Sequence, residues 1–235
     1  MISLIFALAL LGQDDKAADE AIEAFKTAVR SNSEADRCAA VAALAQVQHA
    51  KTLSRLVPYL SSDGMTVRIA AAKGLGAFAD QKKQAVSALV NALGGPNAKE
   101  HDVQAAILES LGRLGDPTAL PAIHRLIDDK EPKVAKAAVQ AAAAIGSAAS
   151  VDPLIDQLKK LEKVLKADAS GAVGYSTPNG YTVPAGSEDQ IRKRAQELNP
   201  VVVKALQDIT KERHGTSQDW ATWWAKARAS FKASK

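Results

Sequence analysis

One ten-residue pattern occurs four times in this chain at nearly constant spacing. It is clearest in Val67-Arg68-Ile69-Ala70-Ala71-Ala72-Lys73-Gly74-Leu75-Gly76 and in Val103-Gln104-Ala105-Ala106-Ile107-Leu108-Glu109-Ser110-Leu111-Gly112, returns from Val134 and is weaker from Asp36. These starts are separated by 31, 36 and 31 residues. That interval is the length of one helical pair, a unit that buries its apolar stripe only against the pairs before and after it. The expected fold class is therefore an all-α α-solenoid of about four helical pairs, and not a domain around one closed core. Such a fold offers an elongated surface, so binding is expected of it before catalysis.

Composition agrees with that expectation. Apolar residues make up 47% of the chain but aromatics only 4%, so the interior must be built from Ala, Leu, Val and Ile, which let helices approach closely. Charge is uneven. Between Gln190 and Lys235 there are 10 Lys+Arg against 4 Asp+Glu, which leaves 20 against 22 for residues 1–189 out of totals of 30 and 26. The repeat body is nearly neutral and the basic character lies at the C-terminal end. The single cysteine, Cys38, has no partner for an internal disulfide; in an Ala-rich helix it is expected as a small half-buried residue and not as a reactive thiol.

Met1 to Gly12 carries no charged side chain, after which Gln13-Asp14-Asp15-Lys16 turns abruptly polar. Residues 1–12 read as a signal-peptide apolar region. As a helix the stretch from Ile2 to Gly12 would reach about 16 Å, roughly half a bilayer core, so no transmembrane anchor is expected. The expected location is accordingly exported: periplasm, cell envelope or secreted. The competing reading is an apolar helix packed on the first repeat, in a cytoplasmic protein.

The solenoid is assigned to residues 13–163. A helix over residues 14–31, with Ala18, Ile22, Phe25 and Val29 on one side, caps its start. The first pair opens at Ser33, with Asp36 at capping-box spacing, and its second helix carries Leu53, Leu56, Val57 and Leu60. The second pair uses Ala70, Ala71 and Leu75, then Val86, Leu89, Val90 and Leu93. In the third, Asp116-Pro117 supplies an N-cap and a first-turn proline before Leu120, Ile123 and Ile127. The fourth uses Ala137, Ala138 and Ala142, then Val151, Leu154, Ile155 and Leu158. Residues 164–189 form a loop insertion whose Pro178-Asn179-Gly180 is a turn signature suited to a β-hairpin. From Ser187 a helix begins, which Asn199-Pro200 is expected to break or kink. Residues 190–235 are read as a C-terminal helical cap.

Two sets of residues carry a family resemblance. One is the first-helix run from Val103 to Gly112, with Leu114-Gly115-Asp116-Pro117 and Ala119-Leu120-Pro121-Ala122-Ile123 after it. The other is Leu206-Gln207-Asp208-Ile209-Thr210, His214-Gly215 and Asp219-Trp220-Ala221-Thr222-Trp223-Trp224. The first resembles HEAT repeats, of the short type also found in phycobilisome lyase-like proteins, over roughly residues 32–163. The second resembles the ending of secreted bacterial, planctomycete-like HEAT-repeat proteins, with Lys211 where that ending has Gly. The resemblance implies the helical-pair fold, and it carries no bilin-binding residue onto this chain. Read from the residues alone, Thr216 and Asp219 have capping-box spacing, and Trp220, Trp223, Trp224, Ala227 and Phe231 form one stripe, a lid over the last repeat.

Enzyme signatures fail on context. Gly74-Leu75-Gly76-Ala77-Phe78-Ala79 matches a dinucleotide fingerprint by letters but closes an amphipathic helix, so its glycines are read as helix-terminating. His49, His101, His124 and His214 show no ligand spacing; His124 occupies the slot of Val57, Val90 and Ile155 and is expected half-buried and hydrogen-bonded. No catalytic, cofactor or metal residue is assigned. Pro58, Asn91, Arg125 and Asp156, equivalent on the second helices, form no positive ridge, so nucleic acid is not an expected partner. The reading is a monomeric, non-enzymatic scaffold or adaptor for a protein partner. Its contact candidates are Tyr175, Asn179 and Tyr181 in the insertion and Arg192, Lys193 and Arg194 after it. A lyase-like enzyme or enzyme subunit and a HEAT-like nucleic-acid binder are the alternatives.

Overall fold

The computed structural model describes residues 2–167 and 187–231, and the side chains of 15–167 and 189–231 within them. Among these residues there are eleven α-helices and no strand, as an all-α solenoid requires. The chain divides into two compact units, Met1–Ala119 and Leu120–Lys235. The first holds α1 (Ile2–Ala28), α2 (Glu34–Leu44), α3 (Ala50–Leu56), α4 (Met65–Leu75), α5 (Lys82–Ala92) and α6 (His101–Leu114). The second holds α7 (Leu120–His124), α8 (Pro132–Ile145), α9 (Val151–Ala167), α10 (Ser187–Thr210) and α11 (Ser217–Ala227).

The repeat register seen in the sequence is the register of the helices. Asp36, Val67, Val103 and Val134 are each the third residue of α2, α4, α6 and α8. The three valines are fully buried, and so, eight positions on, are Leu44, Leu75, Leu111 and Ala142. Burial of one such leucine stabilises by about 1.5–3 kcal/mol. Asp36 instead is exposed, its carboxylate accepting from the Ser31 hydroxyl at 2.8 Å, which is why the first copy of the pattern is the weakest.

In the first unit α2 packs on α4 and α4 on α6, first helix against first helix. The approach is close. A Cβ added at Gly74 would lie 2.6 Å from the Ala45 Cβ, and one at Gly76 2.8 Å from the Ser110 Cβ. Gly74 lies inside α4, and Gly76, its C-cap, has an ordinary φ of −64°. These glycines are therefore chiefly close-approach positions and not the conformational helix terminators read from the sequence. Left-handed termination occurs elsewhere, at Gly115 (φ 64°) after α6 and Gly146 (φ 70°) after α8. Lys211 ends α10 in the same conformation (φ 64°), so a lysine makes the turn here. At the start of the chain α1 packs on α2 and α3, burying Ala18, Ile22 and Phe25 as a capping helix should.

Two of the second helices, α3 and α7, are short and adjoin 3₁₀ turns that contain proline. α3 ends at Leu56, and Pro58, which has no N–H to donate, sits in a 3₁₀ turn over Val57–Leu60. Asp116 accepts from the Thr118 amide (2.9 Å) and hydroxyl (2.7 Å), but the turn it starts, Pro117–Ala119, is 3₁₀ and α7 has only five residues. The expected apolar residues are buried all the same: Leu60, Leu120, Ile123 and Ile127.

In the second unit α7 lies on α8, α10 on both α8 and α9, and α11 on α9. α10 and α11 thus take the places of a further pair. The break expected at Asn199-Pro200 is absent: α10 runs unbroken from Ser187 to Thr210 with Pro200 inside it. Pro200 is exposed, while Ala195 and Leu198 before it and Val202, Ala205, Leu206 and Ile209 after it are buried. Apolar burial on both sides outweighs the one hydrogen bond that proline deletes. None of the helices of the described residues is long and apolar enough to cross a membrane.

Candidate interaction surface

Arginines fasten successive helices. In α2, Arg37 grips Asp63 in a fork, Nε to Oδ2 at 2.8 Å and a terminal nitrogen to Oδ1 at 2.7 Å. That bond holds the Asp63 carboxyl below its ordinary value despite partial burial, aided by the Gly64 N–H donated to it. Arg68, at the equivalent place in α4, donates to Asn97 Oδ1 at 2.8 Å. Asn97 is fully buried and donates in turn to the Leu60 and Ala92 carbonyls, both at 2.8 Å. Each arginine therefore pins the loop leading into the next first helix.

The second unit has its own hub. Asp128 accepts from Lys160 at 2.8 Å, Gln157 at 3.1 Å and Arg194 at 3.2 Å, while Arg194 also donates to the Asp129 carbonyl at 2.6 Å. Burial raises the Asp128 carboxyl, but these three donors outweigh it and the net displacement is downward. α11 is tied to α9 at both ends: Glu162 accepts from the Ser217 amide and hydroxyl, each at 2.8 Å, and Arg228 donates to Asp152 at 2.5 Å. The capping box read at Thr216 and Asp219 is present in both directions, at 3.2 and 3.0 Å. Trp220 and Trp224 are buried, Trp223 is half-buried, and Phe231 stands edge-on to Trp224 at 5.2 Å between centroids.

The titratable groups read in the sequence do not converge. His124 is half-buried, its Nε2 3.0 Å from the Ser150 hydroxyl, and burial holds its pKa below the ordinary value. His49 caps α3, its Nδ1 accepting from the Lys51 amide at 3.2 Å, and His214 stands edge-on to Trp220 at 4.7 Å. His101 opens α6. Cys38 is half-buried with its Sγ 3.9 Å from the Thr66 carbonyl. Among the described residues no three His, Cys, Asp or Glu side chains gather as metal ligands would.

A family comparison matches the description "HEAT repeats" over residues 22–101 and 97–173, well over half of the chain. The chain belongs to the HEAT-repeat family. Among solved structures it is similar to the complex of CpcE and CpcF of phycocyanin lyase from Nostoc sp. PCC7120, with a TM-score of 0.53 and 21% identity over 89% of this chain and 71% of that one. At that identity the likeness is one of fold. No curated protein matches the chain.

On this HEAT scaffold the sequence-derived contact residues separate. Arg192 and Lys193 are exposed near the start of α10, whereas Arg194 is half-buried and spent on Asp128 and Asp129. Tyr175, Asn179 and Tyr181 lie outside the described residues. Spacing alone could not tell Arg194 from its neighbours, because its acceptors are more than sixty residues away in the chain. The large apolar side chains exposed among the described residues are Met65 and Ile191, the latter 48% exposed and next to Arg192. Sequence reasoning missed one further concavity, a groove between α8 and α10 floored by Ala143, Ala144, Val201 and Ala205 and bordered by the Lys204–Asp208 ion pair at 2.8 Å.

Proposed function

We propose that this HEAT-repeat chain is an exported scaffold or adaptor that binds another protein through a polar surface, with the Ile191-Arg192-Lys193 corner of α10 as part of the contact. The observation that carries this reading is where the apolar residues go: the repeat helices bury most of theirs on one another and leave their charged side chains largely outside. Of the two large apolar side chains exposed among the described residues, Met65 and Ile191, it is Ile191 that is the more exposed and stands beside two cations. A surface of that kind suits a non-obligate, salt-sensitive interface. Affinity capture on full-length protein should enrich one protein in near-stoichiometric amount, less at high salt, and less again on an Ile191→Ser/Lys193→Glu variant. An unchanged yield on the variant would remove this corner from the interface. Export predicts that protein recovered from its native cell has lost the apolar segment within residues 1–12, read by intact mass; a retained Met1 in the cytoplasm would contradict it.

A second reading, a subunit of a lyase-type enzyme, draws support from the likeness in fold to phycocyanin lyase subunits. Absorbance and mass spectrometry of the natively purified protein test it, and a retained small-molecule chromophore would favour it over the scaffold.

A further inference from the structure

α10 and α11 are joined by residues 211–216, Lys-Glu-Arg-His-Gly-Thr. The first four are compatible with helix by propensity. The chain bends there because Lys211 takes φ 64°, a left-handed angle that side chains other than Asn and Asp rarely adopt. Its amide closes the turn on the Gln207 carbonyl at 2.8 Å. Gly215 takes no left-handed angle, and the Thr216–Asp219 capping box starts α11 afresh.

Beyond the bend, α11 is fastened to α9 and, through Trp220 and Trp223 against the His214 ring, to the bend itself. Trp220 and Trp224 are buried, α11 packs on α9, the N-terminus of α11 donates to Glu162, and Arg228 meets Asp152. We infer that α11 exchanges between two copies of this chain. With Lys211 relaxed to right-handed angles, α10 continues helically through 211–216, and α11 is carried to the α9 of a second copy while that copy's α11 returns the contact. The occupant is fixed by the face itself: the same indole pair, the same donors for Glu162 and the same cation for Asp152 come only from another copy. Closed monomer and exchanged dimer then share every α9–α11 contact and differ at the hinge, so hinge residues set the balance.

The experiment compares full-length wild type, Lys211→Gly and Gly215→Ala/Thr216→Ala by light scattering on a sizing column, after warm incubation across a hundredfold range of concentration. Lys211→Gly relieves the bend in the closed form. Gly215→Ala favours helix through the hinge without a clash, since its Cβ would meet only Asp219 Oδ2 at 3.6 Å, and Thr216→Ala removes the cap. The expected result is a slowly interconverting dimer in wild type. Its dimerisation constant should fall roughly 25-fold in Lys211→Gly, about fivefold per chain, and rise by at least as much in the double variant. Circular dichroism verifies that all three are folded. Monomer alone in both wild type and the double variant would overturn the inference. So would a wild-type dimer unaffected by Lys211→Gly, or one that persists in Trp220→Ala/Trp224→Ala, because either places the contact on another surface.

Discussion

Replacing Gly76 with alanine tests whether the first helices pack as closely as the fold requires. The new Cβ would stand 2.8 Å from the Ser110 Cβ, 2.9 Å from its Oγ and 3.0 Å from its Cα. Carbon atoms rest about 3.5–4.0 Å apart, so α4 and α6 must separate by nearly an ångström. Ser110 cannot move aside: it is fully buried, its hydroxyl donates to the Ala106 carbonyl at 2.9 Å, and two of the three contacts are with atoms that no side-chain rotation displaces. Overpacking of this kind costs about 1–3 kcal/mol. Against it stands a gain of about 0.4–1 kcal/mol, because Gly76 has φ −64°, which alanine adopts freely while narrowing the unfolded ensemble. The expected net loss is about 1–2 kcal/mol, read as a lower urea midpoint by circular dichroism with an unchanged slope. Adding Ser110→Gly should return part of that loss, so the double variant falls short of the sum of the singles. A midpoint that rises in Gly76→Ala, as a mere helix-ending glycine would give, refutes the close-packed arrangement.

Trp220→Ala empties the fully buried position on α11 and should cost about 3–5 kcal/mol, seen as a lowered thermal midpoint; a loss under 1 kcal/mol would mean that α11 does not rest on α9. Asp63 and Asp128 are held below ordinary carboxylate values, so the stability they contribute is complete above about pH 4 and lost as pH falls through their lower folded values. Asp63→Asn should therefore flatten the decline of the urea midpoint below pH 4, and an unaltered decline would deny the Arg37 pairing a role. His124 is also displaced downward, by burial, so the neutral ring is the folded form. Its contribution is complete above about pH 6.5 and lost as pH falls toward its lower folded value. His124→Gln should flatten the stability profile between pH 7 and 5, and parallel profiles would contradict this.

The repeating helices were legible because their signal is local. Valine at the third position, leucine eight residues later and the Thr216–Asp219 spacing each report on a single helix. The half-buried place of His124 followed from aligning repeats. What stayed hidden depends on partners distant in the chain. Arg37 and Asp63 are 26 residues apart, Arg194 and Asp128 are 66 apart, and nothing in their spacing brings them together. Gly76 reads as a helix end until Ser110 is seen against it. Pro200 reads as a break until the apolar residues on both sides are placed on α8 and α9, a case of tertiary packing overriding local preference. For the contact surface the sequence pointed to Arg192, Lys193 and Arg194 alike, and only the fold distinguishes the third as internal.

Binding of a protein by a surface that includes the Ile191-Arg192-Lys193 corner is tested most directly by quantitative affinity capture from an extract of the native cell, with the protein at low and high salt. The account predicts a single protein in near-stoichiometric yield, depleted by salt and by Ile191→Ser/Lys193→Glu. Recovery of no stoichiometric protein, together with a small molecule retained on the chain, would contradict it.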